Sequence, residues 1–287
     1  MTFGRFSAAI FAVMFMMQPH VARAEVPVDL ELIIAVDVSR SIDMEEAQLQ
    51  RDGYVTAFVD KEVIQAVKSG FLGKVAILYM EWAGGFTKVA IDWTVIEDEA
   101  SAKAFSGNLK RQEFEFHRRT SISDALDFAV PLFESNGYKG RRKVIDVSGD
   151  GPNNAGRLVN VARDEAVAAG ITINGLPILS PEGDYGSLQW FADLDLYYES
   201  CVIGGRGAFM VAANGFQDFS GAIRRKLVLE IAGKRPDHYD VRRSRARPIE
   251  LAMEGDLLAQ VARVAEERVA PPCDIGERRR RQYYYDP

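Results

Sequence analysis

Histidine and cysteine are scarce in this chain, which holds three His and two Cys in 287 residues. His20 falls near the N-terminus, leaving His117 and His238 in the remainder. Zinc sites draw on clusters of these two residue types, and no such cluster is present. Serine catalysis needs a base held beside the nucleophile, yet there is no G-x-S-x-G elbow. His117, close to Thr120, keeps a hydrolase reading open. A Walker-type G-x-x-x-x-G-K-[ST] loop is also missing, so nucleotide hydrolysis has no support. Charge of one sign does not dominate: 35 basic and 41 acidic residues give a formal −6. That balance gives no reason to expect nucleic acid as a partner. Beyond the N-terminus no run is long and apolar enough to cross a bilayer, and there are no internal repeats. The expectation is a protein that is not an enzyme.

The N-terminus reads as a secretory signal over residues 1–24. Arg5 supplies the positive start, residues 6–17 form a short apolar stretch, and Ala22-Arg23-Ala24 is an A-x-A-like cleavage site. An uncleaved anchor is the alternative. Cleavage before Glu25 would remove Arg5 and Arg23, so 35 basic residues become 33 and the charge moves from −6 to −8. A periplasmic or secreted location follows, with no integral membrane segment after cleavage. Export permits disulfides. Cys201 and Cys273 are a candidate pair, and a buried free thiol at Cys201 is the competing reading, because spacing does not choose between them.

Strand-like and helix-like segments alternate, which predicts an α/β fold: a doubly wound, mostly parallel sheet with helices on both faces. Strands are expected over residues 30–36, 75–82, 88–93, 143–147, 171–178 and 202–211. Gly84-Gly85 between the second and third marks a hairpin and hence an antiparallel edge. Helices are expected over 42–68, with Ser41 and Glu45 near its start, and over 100–109, 121–135, 158–169, 187–194 and 216–232. After Gly233 the composition shifts. Residues 234–247 read as a basic linker, 250–269 as an amphipathic helix, and the arginine run from Arg278 as a disordered tail.

Asp37-Val38-Ser39-Arg40-Ser41 follows the first apolar strand. Three oxygen-bearing side chains at alternate positions suit a hard divalent cation, which prefers about six oxygen ligands and keeps several waters. Asp150 follows the strand at 143–147, and Thr120 opens a helix. Open α/β sheets bind ligands at the carboxyl ends of their strands, where strand order reverses. Each residue taken alone also suits a helix N-cap. A magnesium-dependent phosphohydrolase with Asp37 as nucleophile and Asp150 on the metal is a further alternative, although such enzymes generally carry a second Asp where Ser39 stands. Asp146 falls within a strand pattern and needs a basic partner if buried; Arg142 and Arg163 are the candidates. Asn153 and Asn154 read first as turn-formers, with a place lining the crevice as the alternative.

Asp37, Ser39 and Ser41, then Thr120, then Asp150 resemble, in order, the metal-ion-dependent adhesion site (MIDAS) of von Willebrand factor type A (VWA) domains. The resemblance spans roughly residues 28–233. Gln50-Arg51-Asp52-Gly53-Tyr54, the run Val144 through Asn154 and Gly170 through Pro177 are similar to a bacterial VWA-like family, domain of unknown function 1194. The resemblance implies a Rossmann-like VWA fold over residues 25–233. It also implies a metal held by Asp37, Ser39, Ser41, Thr120 and Asp150, with Mg2+ first and Mn2+ or Ca2+ as alternatives. The implied partner is a protein presenting Asp or Glu to that metal. Arg40 departs from the family, where Gly is common, and Asp150 sits in Ser-Gly-Asp-Gly rather than Thr-Asp-Gly. A structural or assembly role carried by the C-terminal segment is the competing reading.

Overall fold

Strands buried on both faces require near-continuous apolar sequence, and the first run of this chain meets that demand. The computed structural model describes residues 24–179, 191–236 and 268–285. The leader and the helix expected over 250–269 lie wholly or largely outside them, as does the first half of the helix expected over 187–194. The central strand β2 (Leu30–Asp37) is buried at all eight positions. It is flanked by β3 (Val75–Ala83) and β6 (Lys143–Gly149), both parallel to it. With β4 (Phe86–Ile96), β7 (Thr172–Leu179) and β8 (Ala213–Asn214) the sheet runs in the order β4-β3-β2-β6-β7-β8. β4 is antiparallel, joined to β3 through Gly84 and Gly85, as the glycine pair predicts. A separate parallel pair joins β1 (Val26–Val28) to β5 (Tyr138–Gly140); three-residue strands leave little sequence signal.

Helices cover both faces. Leu30, Leu32, Ile34 and Val36 of β2 pack with α1 (Met44–Phe58), α2 (Lys61–Lys68), α3 (Glu99–Lys110) and α7 (Phe219–Ala232). Ile33 and Ala35 face the other way, onto α4 (Ile122–Ala129), α5 (Val159–Ala168) and α6 (Leu194–Tyr197). This is the period-two alternation of a strand between two helical layers. The last described element, α8 (Ile275–Tyr285), follows the second layer.

Several sequence expectations change in the fold. The helix expected over 42–68 is two helices, because the Asp60 carboxylate accepts from the Glu62 amide and starts α2 afresh. Its first cap is Asp43 rather than Ser41: Asp43 accepts from the Glu46 amide while Glu46 accepts from the Asp43 amide, a reciprocal capping box. No strand forms over 202–211. Gly205 and Gly207 adopt φ of 93° and 82°, and the segment pairs with β7 through isolated bridges at Gly204 and Met210 rather than a continuous ladder. The edge strand lies instead at Ala213–Asn214. The arginine-rich end expected to be disordered is helical in α8.

Asp146 finds neither Arg142 nor Arg163. It lies on the same face of β6 as Val144 and so points to α7, where the fully buried Lys226 Nζ contacts its Oδ1 and lies 2.8 Å from Glu230 Oε1. Arg142 donates instead to the carbonyls of Glu230 and Ile231, and Arg163 to that of Ile203. Burial, with the Glu230 charge added, pushes Asp146 up to about 7 despite the lysine. Removing one partner of a buried ion pair leaves uncompensated charge, and Lys226→Met should cost roughly 3–5 kcal/mol at about pH 8. Because Asp146 is raised, protonation relieves its need for the cation. The loss, read by urea unfolding, should therefore shrink toward about pH 5; a pH-independent loss would refute this account of the triad.

Candidate metal centre

The register of two strands assembles the site. Val36 lies opposite Ser148, so Asp37 and Asp150 emerge together at the carboxyl ends of β2 and β6. The chain leaves β2 toward β3 on one side and returns to β6 on the other, which makes this a switch point of the sheet.

Asp37 is fully buried. Its Oδ1 accepts from the Ser39 amide at 2.7 Å. Its Oδ2 is buried without a hydrogen-bond partner among the described residues. The Ser39 and Ser41 hydroxyls lie 2.8 Å apart, and the Ser41 hydroxyl donates to Asp150 Oδ1 at 2.8 Å. Four of the five sequence-selected residues thus form one connected set. Thr120 joins from the loop before α4. Its amide donates to Asn154 Oδ1 at 3.0 Å, and its carbonyl accepts from the amides of Asn154 and Ala155. A methyl group placed on Gly151 would lie 3.9 Å from Thr120 Oγ1, so the hydroxyl faces the turn that carries Asp150.

Backbone contacts hold the three loops together. The Arg40 amide donates to the His117 carbonyl and the His117 amide to the Val38 carbonyl. The His117 ring stacks on Phe86 at 3.6 Å between centroids. Arg119, just before Thr120, has a φ of 72°, an uncommon conformation for a residue with a Cβ. Gly84 of the hairpin donates its amide to the Arg119 carbonyl at 2.8 Å.

The electrostatics ask for a cation. Burial first, and the nearby Asp150 second, push Asp37 well above the usual carboxylate range. Asp150 is partly exposed but closely enclosed; desolvation raises it to about 6, although the bond from Ser41 opposes the shift. The donors are two carboxylates and three hydroxyls, oxygen throughout, with one buried carboxylate oxygen unpartnered. That set fits a hard divalent ion. Among the described residues no group of three or more His, Cys, Asp or Glu is placed to hold a metal, so the candidate set depends on its hydroxyls.

Sequence reading missed two contributors, Tyr198 and Gly149, and ranked a third, Asn153, first as a turn-former. Tyr198 has a buried hydroxyl with no hydrogen-bond partner among the described residues, and burial followed by the charges of Asp37 and Asp150 raises its pKa. A Cβ on Gly149 would lie 3.0 Å from both Asp37 Oδ2 and the Tyr198 hydroxyl, so only glycine leaves that space. Asn153 is more than a turn-former: fully buried, it accepts from the Ser123 amide and donates to the carbonyls of Ala155 and Arg157. No motif flags Tyr198. Cys201 and Cys273 are joined as a disulfide, with their Cα atoms 5.4 Å apart.

A family model described as "Protein of unknown function (DUF1194)" matches residues 27–235. The chain belongs to the DUF1194 family. No curated protein matches it significantly. Among solved structures, proximal thread matrix protein 1 from the mussel byssus, with a zinc-occupied MIDAS motif, aligns at 18% identity and a TM-score of 0.52. That alignment covers 72% of this chain and 49% of the other. The pilus adhesin SpaC from Lactobacillus rhamnosus GG aligns at 12% identity and a TM-score of 0.51, covering 73% and 31%. The DUF1194 chain therefore spans about half of the first neighbour and a third of the second, and it shares their fold. Its α/β sheet is of the VWA type.

Two outcomes follow for this DUF1194 chain. A Cβ on Gly84 would stand 2.4 Å from the Arg119 Cβ and 2.8 Å from the Arg118 carbonyl. Gly84→Ala should cost about 1–3 kcal/mol by overpacking, with NMR shift changes centred on residues 117–120; changes confined to the hairpin would contradict the buttress. The second concerns charge in the metal-free protein. A carboxyl with a raised folded pKa contributes stability below its unfolded pKa and loses it as pH rises through the folded one. Asp37→Asn mimics the protonated form, so it should raise the melting temperature at about pH 8, with a smaller gain at about pH 5. An equal gain at both would mean that Asp37 is not protonation-strained.

Proposed function

We propose that this chain is an exported, metal-dependent protein-binding module. The metal is a divalent cation held by Asp37, Ser39, Ser41, Thr120 and Asp150. The observation that carries the reading is the connected oxygen set running from Asp37 through Ser39 and Ser41 to Asp150, with Asp37 Oδ2 buried and unpartnered. A bound cation would supply the missing charge and act as a Lewis acid. Around it, Asp37 and Asp150 would hold negative charge in a largely enclosed crevice, and the hydroxyls would supply neutral oxygens. With only two anionic side chains in the set, a carboxylate from a partner's Asp or Glu has charge left to bind. The chemistry is coordination rather than turnover.

The two neighbours support this reading by what their descriptions say: one carries a zinc-occupied MIDAS motif and the other is a pilus adhesin. Mg2+ suits an all-oxygen set best, with Mn2+, Ca2+ and, after that neighbour, Zn2+ to be compared. Among the described residues no helix is long and apolar enough to cross a membrane, and the apolar N-terminal stretch is the feature that favours a periplasmic or secreted location.

Calorimetric titration of residues 25–287 with Mg2+ and Mn2+ should show one saturable site that Asp37→Ala abolishes. Metal must displace protons from raised carboxyls, so affinity should rise with pH through about 6. Partner capture that survives Asp37→Ala but needs the C-terminal segment would replace this reading with the assembly role.

A further inference from the structure

The family match ends at residue 235, yet the chain returns to the metal loops forty residues later. Arg268 begins the return by gripping Asp193 and the buried Asp195 at 2.8 and 2.7 Å. Cys273 is then bonded to Cys201, 72 positions away in sequence, and the Tyr197 hydroxyl donates to the Cys273 carbonyl at 3.3 Å. Ile275 packs against the core layer of α4 and α5. Gly276 is buried so tightly that a Cβ would stand 2.0 Å from the Asn153 carbonyl oxygen. Glu277 Oε1 accepts from Asn153 Nδ2 at 2.7 Å, and Arg280 Nη1 donates to the Asn154 carbonyl at 3.0 Å.

Those two asparagines are the link to the site. Asn153 accepts from the Ser123 amide, and Asn154 exchanges hydrogen bonds with the backbone of Thr120. Both sit on the turn that begins at Asp150. We propose that α8 is a built-in buttress of the metal centre. Glu277 and Arg280 are positioning residues that set the Asn153–Asn154 turn, and through it Thr120 and Asp150, while the Cys201–Cys273 disulfide holds α8 in place. An eleven-residue helix is marginal alone in water, so its order depends on this docking. A dithiol reductant that converts the disulfide to two thiols, itself becoming a disulfide, loosens the buttress and the loops together. The consequence for metal affinity rests on the proposed function; the mechanical coupling does not.

The test uses the metal-free chain of residues 25–287 and reads amide hydrogen exchange at Thr120, Ser123 and Asn154, with β2 as internal reference. Glu277→Ala combined with Arg280→Ala should speed exchange at those amides by about tenfold, the scale of a lost charge-assisted hydrogen bond. Glu277→Gln, which keeps an acceptor for Asn153, should restore most of the protection when made with Arg280 intact. Reduction of the wild type should act in the same direction. A Mg2+ titration of the double variant should show affinity lower by about tenfold with the stoichiometry kept. Unchanged exchange at the three amides in the double variant overturns the proposal. Should reduction unfold the whole chain, the substitutions with the disulfide intact decide it. Altered exchange in a protein whose wild type binds neither Mg2+ nor Mn2+ would uphold the buttress and overturn the metal reading instead.

Discussion

Two carboxylates brought side by side, one fully buried and one closely enclosed, are the constraint on which this molecule turns. Pairing of β2 with β6 places Asp37 and Asp150 at adjacent strand ends, and burial disfavours their charge. The surrounding loops lower that cost only in part. The Ser39 amide and the Ser41 hydroxyl each satisfy one oxygen, and Asp37 Oδ2 is left bare. A fold that only needed stability would place a cation or an apolar side chain there. Retaining two strained carboxylates instead is the kind of local conflict that marks functional sites.

The contrast with the second buried acidic cluster is instructive. Asp146 lies on the same strand as the site but meets Lys226, and the nearby Glu230 shares that lysine and accepts from Asn174. There the protein supplies its own counter-charge, although Asp146 Oδ2 and Glu230 Oε2 are also buried without a hydrogen-bond partner among the described residues. Arg51 and Glu81 form another charge-compensated pair at 2.8 Å, with the Arg51 guanidinium over the Phe114 ring at 4.1 Å. Among the described residues Asp37 and Asp150 have no such ion pair, and their hydroxyl neighbours suit a metal better than a salt bridge.

The loops are then held from three directions. The hairpin at Gly84 supports the Thr120 loop, the His117 backbone ties it to Asp37-Val38-Ser39-Arg40, and α8 grips the turn after Asp150. Fixing loop conformation beforehand removes an entropic cost that a ligand would otherwise meet on binding. The strained φ of Arg119 is tolerated because these contacts over-determine it.

Much of this was legible in the residues. The apolar run ending at Asp37, the glycine pair at the hairpin and the alternation of strand and helix patterns determined the sheet and its antiparallel edge, because those signals are local and periodic. The order of Asp37, Ser39, Ser41, Thr120 and Asp150 marked the candidate site for the same reason: oxygen donors at strand ends are visible one segment at a time. What needed the tertiary structure was every choice of partner across the chain. Lys226 rather than Arg142 or Arg163 meets Asp146, Cys201 bonds Cys273, Tyr198 comes up beneath Asp37, and the arginine-rich end folds as a helix on Asn153 and Asn154. Side chains distant in sequence are brought together by packing, and a linear pattern carries no record of which face of α7 or which turn of β6 they will share.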